Sequence, residues 1–342
     1  MTSSFESQTP ALTAVQAIVM KGFDAEFRNL DQYIRVITDR IWEGGRVEDI
    51  RLYYSDPCIV ETCTSVSTSI EDIISGTHAS MAMFPDRRIL AEDVIQSGDE
   101  NGGFLSSHRI ISTMTHLGDG SFGRATGRRI HTRTVADCVC INNRIVHEWM
   151  VRDYAASALQ MGTTPQALAQ RWLDERGPWN KPVAGPVPAG YVSAISTAAL
   201  ASDYAQTLTD FAHGKTSSRS IYDEAVHQIG PGEVSNYGRL EIEGFWTGLF
   251  AALPVKEFAI EHMAFQSDQA STGRPDRVAL RFRAKTVHSP IDQSANRYGI
   301  HSDKPVELFG IVHAEFYQGQ VIREWVLVND VAIWMQILAP QA

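Results

Sequence analysis

The stretch EWMVRDYAASALQ begins at Glu148, and EWVLVNDVAIWMQ begins at Glu324. Each puts Glu-Trp at the end of an apolar, strand-like run and a Gln eleven residues past the Trp. Four residues after the Trp, the first copy carries Asp153 and the second Asn329. Trp325 follows Trp149 by 176 residues, and at that offset Gln160 meets Gln336, Gly123 meets Gly299 and Thr126 meets Ser302. One strand earlier the offset is 172: HRIISTMTH (His108 to His116) meets LRFRAKTVH (Leu280 to His288), pairing Arg109 with Arg281 and His116 with His288. The four-residue slip falls between GDGSFG and SPIDQSANRYG, turn-rich stretches that tolerate insertion. Features recurring in the same order across a 342-residue chain mark an internal duplication.

Working outward, each half opens with helical periodicity. DQYIRVITDRIWEGGRVEDIRLYY places Tyr33, Ile34, Ile37 and Ile41 at three-to-four spacing, interrupted at Gly44-Gly45. SIEDIISGTHASMAMF predicts a further helix with Ser69 as N-cap. The second half repeats this with STAALASDYAQTLTDFAHGK, SSRSIYDEAV and LEIEGFWTGLFAAL. Four strand-like runs follow in each half, the last two joined by Asn142-Asn143 and by Gln318-Gly319 as tight hairpin turns. Helices followed by an antiparallel meander predict an α+β fold. The Pro/Gly-dense ERGPWNKPVAGPVPAG is a linker. The expected division is residues 1–176, a linker over 177–190, and a second domain over 191–342.

Composition narrows the function. The chain is 44% hydrophobic and 20% charged, as in globular domains. A net charge of −10 argues against nucleic acid and anionic membranes as partners. No run approaches the roughly eighteen apolar residues of a membrane span, and MTSSFESQTP lacks a secretory pattern, so the expected location is cytoplasmic. Cys58, Cys63, Cys138 and Cys140 show neither zinc nor thioredoxin spacing and read as small buried hydrophobes. The histidines form no HExxH, so no metal is expected. No Gly-x-Ser-x-Gly elbow or phosphate-binding glycine loop is present.

Helices packed on a strongly bent sheet resemble the NTF2-like cone fold, and the motifs resemble its SnoaL-like branch, which includes polyketide cyclases. Thr115-His116 with Gly118 is similar to that branch's Thr-His-x-Gly, and Gly123 to Arg129 to its glycine turn. NNRIVHEWMVRD is similar to its hairpin followed by a strand ending Trp-x-x-x-Asp, and Gln160 to the Gln on its closing segment. The second half keeps His288, Gly299, Trp325 and Gln336 but carries Asn329. The resemblance implies two cones paired through their sheets as a pseudo-dimer. It also implies a cofactor-free acid/base reaction on a small hydrophobic carbonyl compound, with Asp153 as acid/base.

The residues are open to competing readings. Asp153 shares strand parity with Trp149 and Val151, and a carboxylate on an apolar inner face would be poised near neutral pH; otherwise it caps the helix-like YAASALQ. His116 stands as a second catalytic candidate, whereas Arg109, seven residues away, falls on the opposite strand face. His131, Arg133 and Asp137 alternate against the apolar Ile130, Ala136 and Cys138; they line a pocket, face solvent or meet the other cone. Trp42 and Tyr53 lie on the helical lid, as core or as ligand contacts. In the second half Trp325, Asn329 and His288 occupy the matching positions, and a bulge would swing Asp330 inward. The expected partner is a small hydrophobic molecule, with a homodimer as a further possibility. The expected activity is that of a lyase, isomerase or cyclase; the rivals are a ligand-binding or accessory protein without turnover, and an ester or epoxide hydrolase.

Overall fold

The computed structural model describes residues 20–180, 182–183, 195–215, 219–289, 297–299 and 301–340. In the first half, helix α1 (Leu30–Thr38) is capped by Asn29, whose side chain accepts from the Gln32 amide, and buries Tyr33, Ile34 and Ile37. It runs into a π-helical turn, Asp39–Glu43, that stops at the glycine pair, with Gly45 at φ 68°. A short α2 (Ile50–Tyr53) leads into β1 (Tyr54–Thr62) and β2 (Val66–Ser67). Ser69 caps α3 (Ile70–Met83), as its position before the apolar run predicts. The meander is β3 (Arg88–Asp99), β4 (Gly103–Thr115), β5 (Arg129–Ile141) and β6 (Arg144–Arg152). Asn142 and Asn143 have φ 48° and 65°, the left-handed geometry a tight hairpin needs. Helices α4 (Tyr154–Met161) and α5 (Pro165–Arg176) close the half.

The second half repeats the order with α6 (Ala199–Ala212), β7 (Tyr222–Gly230), β8 (Val234–Tyr237) and α7 (Gly238–Ala252). Then come β9 (Val255–Gln266), a one-turn α8 (Gln269–Thr272), β10 (Asp276–Val287), β11 (Pro305–Tyr317), β12 (Gln320–Val328) and α9 (Asp330–Leu338). The sheets have the same strand order, β2-β1-β6-β5-β4-β3 and β8-β7-β12-β11-β10-β9. The architecture is α+β, with two curved six-stranded sheets in tandem.

Two expectations need correction. The sheets are mixed, because β1 lies parallel to β6 and β7 parallel to β12. The segment SSRSIYDEAV is not helical where described: after a 3₁₀ turn at Arg219–Ile221 it becomes β7. β1 follows directly on helical periodicity, which hid the change of period, whereas β7 lies past Gly214, a break the helical reading of SSRSIYDEAV passed over. Most of the expected linker lies outside the described residues.

The halves meet back to back through the outer faces of their sheets. Leu105, Val135, Val139, Trp149 and Val151 pack against Phe309, Ile311, Trp325 and Leu327 in one apolar cluster. The duplicated Arg and Trp cross over: the Arg109 guanidinium lies 3.5 Å from the Trp325 ring centre and that of Arg281 lies 3.7 Å from Trp149. Around them Arg281 bonds Asp137 at 2.8 Å, Arg277 bonds Asp93 at 2.5 Å, and Arg283 pairs with Glu61. His313 donates from Nε2 to Ser107 Oγ at 2.7 Å while its Nδ1 accepts from Arg109 at 3.2 Å, and burial keeps the ring neutral.

Candidate functional site

Between the inner face of the first sheet and α1, α3 and α4 lies a cavity of about 430 Å³. That is the size of a small-molecule site. Alternation along each strand decides what faces it. From β4 come His108, Ile110, Ser112 and Met114; from β5, Thr132, Thr134, Ala136 and Cys138; from β6, Glu148, Met150 and Arg152. Helix α1 adds Ile34 and Ile37, α3 adds Ile73 and Thr77, and Trp42 and Arg87 complete the wall. The interior is apolar with a few polar groups set into it.

Three of those groups are titratable and stand out. Glu148 is buried at 4% exposure, and its Oε2 accepts from the Tyr54 hydroxyl at 3.1 Å. Burial raises its pKa, against the pull of the nearby Arg152 charge and the tyrosine bond. His108 is 2% exposed, its Nε2 has no hydrogen-bond partner, and burial with the charges of Arg35 and Arg109 lowers its pKa to about 3. It is a neutral imidazole at any ordinary pH. Arg87 donates to Ser80 Oγ at 2.8 Å, while its Nη2 is buried without a partner.

Asp153 does not border this cavity. It is the N-cap of α4: Oδ1 accepts from the Ala156 amide at 2.9 Å. Its carboxylate also accepts from the Gly232 amide at 2.8 and 3.0 Å and from Glu233 at 3.1 Å, tying the first half to the β7–β8 turn of the second. Burial outweighs these donors and leaves its pKa at about 6. Asn329 caps α9 in the same way, accepting from Ala332 at 3.1 Å. The Asp and Asn at the duplicated position therefore share a structural task, and only Asp153 carries the additional bond to the other half.

The other expected site residues scatter. Trp42 lines the cavity. Tyr53 is buried beside it, its hydroxyl taken by Arg40 at 2.6 Å. Trp149, Arg109 and Trp325 belong to the sheet–sheet interface. His131 is exposed, although its backbone pairs with the Gln160 side chain through bonds of 2.9 and 2.7 Å. His116 and His288 are fully buried at matching strand ends, bonded to Thr126 at 3.3 Å and Ser302 at 2.9 Å, partners that obey the 176-residue offset. Asp330 is the first residue of α9, held by Tyr298 at 2.7 Å and Arg297 at 3.1 Å. Neither of the two catalytic candidates read from sequence, Asp153 and His116, lines this cavity, whereas Glu148 and His108 do.

The signal for that correction was present in β5 and its hairpin. The small and apolar set Thr132 to Cys138 marks the inner face, and the hairpin register pairs Thr134 with Arg152 and Cys138 with Glu148. That places Glu148, Met150 and Arg152 inside and Trp149 and Asp153 outside. An indole reads as more inward than a glutamate, and on β6 that inference inverts the face.

In the second half, among the described residues, larger apolar side chains stand at the corresponding inward positions. Sheet register fixes the equivalences: His108 pairs with Ala136 as Leu280 pairs with Val312, and Ile110 with Thr134 as Phe282 with Gly310. Leu280 thus replaces His108, Leu308 replaces Thr132, and Val328 replaces Arg152. Gly310 makes room for a ring, since a Cβ there would come 2.5 Å from Phe282. The carboxylate persists, as Glu324, together with its tyrosine, since Tyr222 stands where Tyr54 does, and here the carboxylate is saturated. Tyr204, Tyr222 at 2.8 Å, Gln228 at 2.5 Å and Trp246 at 3.3 Å all donate to it.

Among the described residues no group of three or more His, Cys, Asp or Glu is placed to hold a metal ion, and no helix is long and apolar enough to cross a membrane. The family model for SnoaL-like polyketide cyclase matches residues 33–161, the segment that encloses the cavity. No curated protein matches the chain. Among solved structures it is similar to IdmH, a candidate polyketide cyclase from Streptomyces antibioticus, at 19% identity and TM-score 0.34 over 38% of this chain and 96% of that one. TsrD from Streptomyces laurentii aligns at 14% identity and TM-score 0.34 over 38% and 92%. A candidate SnoaL-like polyketide cyclase from Jannaschia sp. CCS1 aligns at 15% identity and TM-score 0.34 over 43% and 100%. Each spans about one half of the duplicated chain.

Proposed function

From the membership of residues 33–161 in the SnoaL-like polyketide cyclase family, we propose that the first cone is a cofactor-free acid/base site acting on a small hydrophobic carbonyl compound. The supporting observation is one enclosed wall that carries both Glu148 and the neutral, unpartnered His108. The second cone braces the first.

The chemistry follows from the two environments. A carboxylate whose pKa is raised by burial is a stronger base than one in water and titrates nearer neutral pH. Glu148 takes the proton from carbon next to the substrate carbonyl, and the C–H electron pair moves onto the carbonyl oxygen. A neutral imidazole N–H at His108 donates to that oxygen as it becomes an enolate. In an aldol-type closure the enolate carbon then attacks a second carbonyl of the same molecule, and Glu148 returns its proton to the new alkoxide. Two strand spacings, roughly 10 Å, separate the β4 and β6 backbones, a span suited to a ring-sized substrate. Tyr54 holds Glu148 in place.

Deuterium incorporation at the α-carbon of an aryl 1,3-diketone in D₂O, followed by NMR, tests this. The wild-type protein accelerates exchange, Glu148→Gln loses it, and Asp153→Asn retains it. Saturable binding of the diketone with no exchange in the wild-type protein would favour the ligand-binding alternative, and oxygen from labelled water in a product would favour hydrolysis.

A further inference from the structure

Arg87 and Arg152 both line the first cavity, and among the described residues neither has an acidic group within ion-pair distance. This departs from how the chain treats its other buried arginines. Arg109 and Arg133 pair with Glu92, Arg277 with Asp93, Arg281 with Asp137 and Arg283 with Glu61. A half-buried guanidinium without a close carboxylate loses part of its hydration; at Arg152 the Tyr154 hydroxyl and the more distant Glu148 charge offset that loss, and at Arg87 no wall residue does.

The two cations also act on each other. Burial first, and the Arg152 charge second, lower the Arg87 pKa to about 10, with Glu43 offsetting part of this from outside the cavity wall. Arg87 spends one nitrogen on Ser80 and leaves Nη2 buried without a partner. Arg152 reaches only the Tyr154 hydroxyl, at 3.5 Å. The acids near this pair are otherwise placed. Glu148 is held by Tyr54 with its pKa raised, Asp72 lies on the exposed side of α3, and Glu43 is engaged by Arg88 and the Ile89 amide. The fold itself does not demand a cation at position 152, since the same register position in the filled cone is Val328.

We propose that the first cone selects an apolar ring compound carrying a carboxylate, and that the carboxylate seats between Arg87 and Arg152 while the rings lie along Ile34, Ile110 and Met150. An anion there gives Arg87 an ionic partner and Arg152 a closer one than Glu148, and planar guanidinium forks match a carboxylate's two oxygens. This names the substrate class of the cavity and rests on the proposed acid/base site only for the claim that the bound compound reacts.

Binding of 2-naphthoate against its uncharged analogue 2-acetylnaphthalene, by calorimetry at pH 7 on the full chain, tests it. The naphthoate should bind about 10- to 100-fold more tightly, with an advantage that shrinks as salt rises. Arg87→Met and Arg152→Met should each cut the preference, and the double variant should erase it while still binding the ketone. Arg152→Lys should keep part of it, which separates lost charge from lost folding. Equal affinities in the wild-type protein, no binding of either probe, or a preference that survives the double variant would overturn the proposal. Glu148→Gln should lose α-proton exchange yet keep the preference, so failure of the chemistry and failure of the anion seat give different results.

Discussion

The two halves share strand order, register and a buried glutamate, yet one encloses about 430 Å³ while in the other, among the described residues, apolar side chains form one continuous cluster. The difference comes from a few inward positions. His108, Thr132, Thr134 and Arg152 in the first half stand where Leu280, Leu308, Gly310 and Val328 stand in the second. The apolar set lets Phe282, Phe250 and Trp246 close over the sheet. The persistent glutamate shows what a shared residue means in each setting. Glu324, with four donors, is part of the core; Glu148, with Tyr54 as its hydrogen-bond donor, lines an open wall. Duplication leaves one copy able to brace while the other keeps room for a ligand.

The strongest way to break this contrast is to copy the filling into the first cone. Ile110→Phe with Thr134→Gly reproduces the Phe282–Gly310 pair, and should abolish ligand binding and lower exchange activity more than 100-fold, read by calorimetry and NMR. Its stability should stay within about 1 to 2 kcal/mol of wild type, because added apolar contact offsets the glycine. Next in size, Glu148→Gln should cost about 10²- to 10⁴-fold in exchange rate, the range for a lost general base, with little change in melting temperature. Glu324→Ala should do the reverse. Leaving four buried donors without an acceptor should cost about 3 to 5 kcal/mol in denaturant unfolding, while activity of the folded protein persists.

The shared cap position sharpens the comparison further. Asp153→Asn keeps Oδ1 as acceptor for Ala156 and Gly232 but loses Oδ2, the acceptor for Glu233 and for the shorter Gly232 contact, and should destabilise by about 1 to 2 kcal/mol. Asn329→Asp, whose cap makes no such bond across the halves, should change stability by less than about 0.5 kcal/mol. The cap contact between the halves also has a pH signature. Asp153 and Glu233 have pKa values of about 6 and about 7, raised from 3.8 and 4.5, chiefly by burial. The folded state therefore binds more protons than the unfolded state in the window between these values. Stability should fall as pH rises from about 4 to about 7, from the ordinary carboxylate range through the raised values, and Glu233→Gln should flatten that slope in unfolding measured across the window.

The duplication, the α+β class and most strand and helix positions were legible because period and turn chemistry agree along the chain. Ser69, Asn142-Asn143 and Gly44-Gly45 each act as their residue type requires. What stayed hidden were β1 and β7, whose parallel pairing is a long-range choice that local pattern does not encode. The site was half legible. The recurrence of Arg109, His116 and Trp149 did mark residues with a shared task, but the task is holding the fold: the cation–ring pairs between sheets and the buried strand-end histidines. The cavity residues His108 and Arg152 are those that fail to recur, because the second half has filled the space they face. Recurrence alone does not sort the residues: Glu148 recurs as Glu324 and still lines the cavity, whereas Asp153 differs from Asn329 and both cap a helix.

Ligand occupancy tests the contrast most directly. With 2-acetylnaphthalene at saturation, crystallography and calorimetry should find one molecule per chain, seated in the first cone against β4, β5 and β6. A second molecule inside the other cone, or a single molecule bound there instead, would contradict the account.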